Sequence, residues 1–588
     1  MHLTSEEKAM LEGEMGLGTQ EAMKILVAIG EIYGAEKMVR VDRVHVAGGS
    51  VLSNGTGGVK FIEWLADNGA KARCFATVNP SAIEPFHWRE LGIPEEYYEL
   101  QMRLTGAYNR MNIVTTHCCT PYLLGNVPHF GECLASGESS AVPIYNGFFG
   151  ARTNRQGGPS SIATAITRKV PVFGLLLDEN RFGHFVIKVT SKCETPHDFS
   201  TLGYFAGKLA GDKVPVFTGI DDYATIDNCK MMTAGMNTSG AVAHFHIVGM
   251  TPEAPTLEGA LGGKPPIKVY EFTESEKVAV ERKLCSATNE RVDMVVIGCP
   301  HASVAQVQEV VRLLNGRKIA SGITFQILTS EAIKALCDRQ GYTKIIEDAG
   351  VMMLVQSCPA CYPLGEVIAA ARDIKSLATD SSKMAHYIAA DSGRFPAYYG
   401  TTAQCVEAAV SGRWVWTTLK NINQQETEQK VSFVKQPQTN SARSRQAGPI
   451  RLRGHKLNGG KVRGIAIVSV DSLSFWGGVN FKTGIVNERG HDIEGQSIAG
   501  KILVCPSGKG SGAGSTRLYD MSLRKVAPIS IVNSKADVVM VIGAIISKIP
   551  MMDSFDVDPV SVIHTGDIVE VDADNGVVTI YPKGESIV

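Results

Sequence analysis

Three cysteines stand beside prolines far apart in the chain: Cys119 in CCTPYLLGN, Cys299 in VVIGCPHAS and Cys358 in LVQSCPACYP. Cys299 and Cys358 each follow an apolar, strand-like run, and Cys119 precedes Thr-Pro. A strand that carries side chains to its tip, followed by a proline that stops the ladder, presents a ligand at the carboxyl edge of a sheet. Zinc is the first metal to weigh, because Cys358-x-x-Cys361 has ribbon spacing. A structural zinc site takes two close ligand pairs, however, and the other cysteines here are single or directly adjacent. A redox pair of the thioredoxin kind belongs at a helix start in a small βαβ unit. Thiolates gathered from distant loops suit an iron–sulfur cluster instead. Four cysteines saturate such a cluster, whereas three leave one iron open as a Lewis acid for a substrate oxygen, which is the chemistry of dehydration. A cysteine taken alone is more often a small buried hydrophobe, and Cys118, which doubles Cys119, is expected to pack behind it.

Two glycine-rich stretches read as anion seats. GARTNRQGGPSSIATAI (150–166) carries Arg152, Asn154 and Arg155 into an expected helix whose first turn holds Pro159, Ser160 and Ser161. Helix N-terminal amides with a guanidinium fork make a carboxylate seat; the other reading is a capped helix with solvated arginines. PSGKGSGAGSTRL (506–518) follows the strand-like KILVC and lacks the GK[ST] of a phosphate-binding loop. Backbone amides around Ser511 would stabilise an alkoxide and make this hydroxyl a base; otherwise the loop is only a turn.

The elements that must position these residues alternate. From residue 20 to about 420, helical stripes such as EAMKILVAIGEIYG and KFIEWLADNG interleave with the short apolar runs VHVAGG, ARCFATVN, PVFGLLL, VDMVVIGCP and GITFQIL. This predicts an α/β architecture with function on the loops after the strands. Residues 421–450, rich in Gln, Ser and Asn, read as a linker between a 1–420 part and a 451–588 unit. That last unit is expected to be β-rich, with RGIAIVSV, KILVC, VVMVIGAII and DIVEVDADNGVVTIY as strands and a hairpin at Asn575-Gly576.

Bulk properties narrow the function. The 588 residues exceed one core, and 58 basic against 59 acidic residues give no broad positive field for nucleic acid or anionic lipid, so a small-molecule partner is expected. MHLTSEEKAMLEGEMG has no basic leader, and Thr4 with Glu7 forms a capping box, so the expected location is the cytoplasm. No run approaches a membrane span of about 18 apolar residues, and the thirteen cysteines fit reduced thiols.

With these pieces assembled, the chain resembles the aconitase X family over nearly its whole length. The resemblance rests on ATVNPSAIE, CTPYLLGNVPHFGE, ESSAVPIYNGFFGARTNRQGGPS, LDENR and IGCPHAS, and on SFWGGVNFKTGIVNERGHDIEGQSIAGKILVCPSGKGSGAGS near the end. It implies an aconitase-like multi-domain catalytic part followed by a β-rich swivel domain. The implied cluster ligands are Cys119, Cys299 and Cys358, holding a [2Fe-2S] or [4Fe-4S] cluster or a mononuclear iron, with Cys118 and Cys361 as further thiols nearby. The implied base is Ser511, with Ser515 as its rival; Glu138, Ser139, Ser140, Arg152, Asn154 and Arg155 are the implied surroundings, and Ser50 and His301 complete the candidate substrate contacts. Members with both parts in one chain dehydrate cis-3-hydroxy-L-proline, and two-chain relatives dehydrate a mevalonate phosphate; fusion favours the former here. The alternative from another class is an iron-sensing RNA-binding protein, which the absence of Lys/Arg blocks disfavours.

Overall fold

The computed structural model describes residues 1–358, 373–390, 395–416 and 449–582; Cys361 and nearly all of the expected linker at 421–450 fall outside them. Residues 1–416 carry three parallel sheets. In the first, Arg43–Val46 lies between Phe75–Val78 and Ala135–Ser136. The second orders His246–Ile247, Pro215–Thr218, Phe185–Val189 and Val269–Phe272. The third orders Met352–Val355, Thr324–Thr329, Met294–Ile297, Leu377–Thr379 and Ala397–Tyr399. Strands such as Met294–Ile297 are buried at every position, as parallel strands covered on both faces must be, and so read as continuous apolar runs. Residues 449–582 form one eight-stranded mixed sheet, parallel across Lys461–Val468, Ile502–Cys505, Ser530–Asn533 and Met551–Asp553 and antiparallel elsewhere. The hairpin at Asn575-Gly576 joins Ile568–Asp572 to Val577–Tyr581. The architecture is α/β with a β-rich C-terminal unit.

Two expected strands take other forms. VVMVIGAII is the helix Val538–Ser547, buried from Val539 through Ala544. A wholly apolar run has no period with which to choose between helix and strand, and burial on all sides here accepts ten helical residues. PVFGLLL splits into the short strand Lys169–Pro171 and a 3₁₀ turn at Gly174–Leu176. The Thr4–Glu7 capping box is present, and no described helix is long and apolar enough to cross a membrane.

Candidate active site

The carboxyl ends of the first and third sheets open onto one enclosed cavity, lined by Ser50, Ser53, Asn79, Pro80, Cys119, Glu138, Cys358, Lys383, Trp476, Ser511 and Ala513. Ser50 follows the strand Arg43–Val46, Asn79 follows Phe75–Val78 and Glu138 follows Ala135–Ser136. Cys299, Cys358 and Lys383 follow the strands Met294–Ile297, Met352–Val355 and Leu377–Thr379 of the third sheet, and Ser511 follows Ile502–Cys505 of the C-terminal unit. This is the position at which open parallel sheets place ligands, because loops leave there while the strands stay rigid.

Each cysteine is fixed by its own local device. Cys118 N–H donates to the Val78 carbonyl at 3.2 Å, anchoring the 117–120 loop to the end of a strand. Before Cys299 the backbone turns at Gly298, with φ of 100°, and a Cβ there would lie 2.1 Å from the Leu328 carbonyl oxygen; only glycine fits. Cys358 follows the Ser357–Ser81 bridge, which ties the third sheet to the first. All three thiols are buried. Cys119 and Cys358 face the cavity, and Cys299 pairs with Cys358 behind it, a hydrogen bond that together with burial pushes the Cys299 thiol well up. Burial, Cys118, Glu138 and Cys358 do the same to Cys119. Bare thiols here hold their protons; the three Sγ atoms do not all lie within 4.8 Å of one another, and a thiophilic metal group would replace those protons. The donor set therefore fits a soft-metal or iron–sulfur centre.

His301, expected at the substrate, lies instead behind the sulfurs. Its backbone N–H donates to Cys119 Sγ at 3.2 Å and its Nε2–H to the Ser357 carbonyl at 2.7 Å, leaving Nδ1 to accept from the Cys118 thiol at 3.3 Å. Burial pushes its pKa down to about 4, so the ring stays neutral. One residue thus joins all three cysteine loops, and Cys118 serves as its partner.

Glu138 and Lys383 form a buried ion pair at 3.3 Å. Ser140 N–H and Oγ–H donate to Glu138 Oε1 at 3.3 and 3.0 Å, Ser139 Oγ–H reaches it at 3.5 Å, and Asn79 Nδ2 donates to Oε2 at 3.4 Å. Burial raises this carboxyl, but Lys383, His45 and Ser140 outweigh it and hold the net value low. Lys383 stays protonated: burial lowers it, and Glu138 with the nearby sulfurs raises it further. No motif marks Lys383 in the sequence; its signal is only its place on the first turn of a helix after a strand.

The 150–161 stretch does not face the cavity. Arg152 turns outward to the Leu176 carbonyl and Asp178, and Asn154 holds the Phe173–Leu175 turn through bonds of 2.9 and 2.8 Å. Ser160 and Ser161 bond back to the Gly157 carbonyl at 3.2 and 2.8 Å, closing the first turn on itself. Arg155 crosses to the C-terminal unit, bonding the Gly510 carbonyl and, at 2.9 Å, Asp537. Gly512 packs so closely on the Glu138 loop that a Cβ would lie 2.3 Å from the Gly137 carbonyl oxygen. Ser511 is thereby delivered to the cavity, its Oγ accepting from Ala513 N–H at 3.3 Å just ahead of the helix Gly514–Leu523. Ser515 lies inside that helix, fully buried, donating to the Gly512 carbonyl at 3.0 Å and packed against Gly157 rather than facing the cavity.

Family models for aconitase X match the chain in four pieces: the first domain at 1–179, the second at 183–281, the third at 292–411 and the swivel domain at 451–580. The phosphomevalonate dehydratase large subunit of Methanothermobacter thermautotrophicus is 37% identical over 390 residues, 66% of this chain and 94% of that one. The cis-3-hydroxy-L-proline dehydratase of Pseudomonas aeruginosa is 32% identical over 413 residues, 70% of each chain. The crystal structure of Thermococcus kodakaraensis aconitase X in its holo-form superimposes with a TM-score of 0.63 at 36% identity, covering 70% of this chain and all of the other. Four matched domains in order, the same fold in a solved structure, and a cavity built where that order brings the sheets together make this chain a member of the aconitase X family.

Proposed function

We propose that this hydro-lyase removes water from cis-3-hydroxy-L-proline, with Ser511 as the base. The observation that carries this reading is a cavity that Ser511 from the swivel domain lines together with Cys119 and Cys358 from the large part. An iron–sulfur cluster held by Cys119, Cys299 and Cys358 supplies, when bound, a Lewis acid that eases departure of the 3-hydroxyl.

In the cis isomer the hydroxyl and carboxylate share one ring face, so the C2 proton lies on the other. The base and the leaving-group site must therefore belong to different walls, and here they come from different domains. Ser511 takes the C2 proton; the Ala513 N–H on its Oγ and the N-terminal end of the following helix stabilise the oxyanion. Loss of the 3-hydroxyl leaves a C2=C3 enamine, which tautomerises to Δ1-pyrroline-2-carboxylate. Tyr387, Trp476 and Ala513, each about 95% buried, pack as an apolar cluster at the cavity and exclude water.

Chain length favours this substrate. The proline dehydratase matches over equal shares of both chains and so is of this chain's length, whereas the large part alone spans nearly all of the phosphomevalonate relative. The higher identity to that relative supports mevalonate 5-phosphate as the second reading. The test is anaerobic purification, counting of iron and sulfide, and assay on both substrates and on trans-3-hydroxy-L-proline. Iron at the site with turnover of the cis isomer alone is expected; turnover only of the phosphorylated acid would end the proline reading.

A further inference from the structure

The cavity holds one full charge of each sign that neither the sulfurs nor the base accounts for. Lys383, from the third sheet, and Glu138, from the first, are about 92% and 95% buried, and both line the cavity. Removing two charges from water costs several kcal/mol each unless opposite charges replace the lost solvent. Of the three N–H groups of Lys383, one is spent on Glu138 Oε1. Glu138 Oε1 is crowded by Ser139, Ser140 and Lys383, while among the described residues Oε2 receives only the long Asn79 contact at 3.4 Å. Both groups therefore retain hydrogen-bonding capacity at the cavity wall.

We infer that Glu138 and Lys383 are the specificity-determining pair of this site, a clamp for a zwitterionic α-amino acid in which Lys383 takes the carboxylate and Glu138 the secondary ammonium. This rests on the proposed reaction and deepens it. The two charged groups of such a substrate sit on one carbon, and a neighbouring ammonium and carboxylate on the protein match them with opposite sign. When the C2 proton leaves, negative charge spreads into the substrate carboxylate, where a buried ammonium stabilises it more than in the ground state. A phosphorylated hydroxy acid brings two anions and no cation; Glu138 would then repel it. The plainer role for Lys383, counter-charge to the three sulfurs, makes no distinction among ligands by their own charges.

The test is titration calorimetry on the full chain, purified anaerobically with its metal, using L-proline, pyrrolidine (no carboxylate) and cyclopentanecarboxylate (no amine). The wild type should bind L-proline at least tenfold more tightly than either analogue. K383M should lose the preference for L-proline over pyrrolidine while its affinity for pyrrolidine is kept; E138Q should lose the preference over cyclopentanecarboxylate while affinity for that analogue is kept. Equal weakening of all three ligands by either variant would overturn the clamp in favour of a structural role. Should the variants fail to fold, the wild-type series decides: L-proline binding no more tightly than its analogues overturns the clamp. This ligand pattern without turnover of cis-3-hydroxy-L-proline would uphold the clamp and sink the reaction, and turnover without the pattern would do the reverse.

Discussion

His301 shows how one residue can tie a site together from behind the wall of its cavity. Its two ring nitrogens and its backbone N–H hold the Cys118–Cys119 loop, the Cys299 turn and the Ser357 carbonyl together. Replacing it with Leu leaves the Ser357 carbonyl and Cys118 without that partner, at a cost of about 1–3 kcal/mol for each buried group left unsatisfied. The expected outcome for H301L is a lower Tm and less iron per chain, measured by calorimetry and metal counting. Ser511→Ala should behave oppositely: iron content and Tm unchanged, turnover lowered about 10²–10⁴-fold. Equal turnover of S511A and wild type would remove Ser511 from its role. At this scale the sequence was legible where a local pattern carried the chemistry, as with Cys299 and Cys358 after their strands. It was silent on Lys383, because a lysine in a first helical turn is unremarkable until the fold brings Glu138 opposite it.

Elements explain why some expectations stood and others moved. Strands bounded by glycine or proline, such as Met294–Ile297 and Ile502–Cys505, were readable because their ends are set by local backbone chemistry. Val538–Ser547 was not, since an unbroken apolar run carries no period. Arg155 was readable as an anion-seeking side chain, but its anion proved to be Asp537, 382 residues away, which no local pattern encodes. The Gly298 turn makes a direct test: G298A forces a Cβ against the Leu328 carbonyl and should cost about 1–3 kcal/mol, seen as a lower Tm. Helix Pro196–Ala210 offers a pH test. Burial raises the carboxyl of Asp198, but Lys277 and the Thr195 cap outweigh it and hold it low. A depressed carboxyl stabilises above its unfolded value of about 3.9 and loses that effect as pH falls through its folded value. D198N should therefore be less stable by about 1 kcal/mol at neutral pH, with the gap to wild type closing in acid.

Across the whole molecule, the swivel domain meets the large part along a broad seam that includes Arg155 on Asp537 and Gly510, Gly512 against Gly137, and helix Gly514–Leu523 packed on helix Val51–Asp67. Arg155→Met strands a buried carboxylate, at a cost of about 3 kcal/mol, and frees the loop that carries Ser511. Turnover should drop while iron content holds, because none of the proposed cysteine ligands belongs to that loop; loss of iron in R155M would refute this division of labour. A joint of this kind also has a meaning for how the protein is encoded. The proposed proton acceptor and the proposed cysteine ligands belong to separate stretches of polypeptide, so the covalent tie between the two parts acts as an effective concentration of one for the other. Supplied as two independent chains, the halves should still assemble, with turnover that rises with dilution reversed and saturates once the partner is abundant.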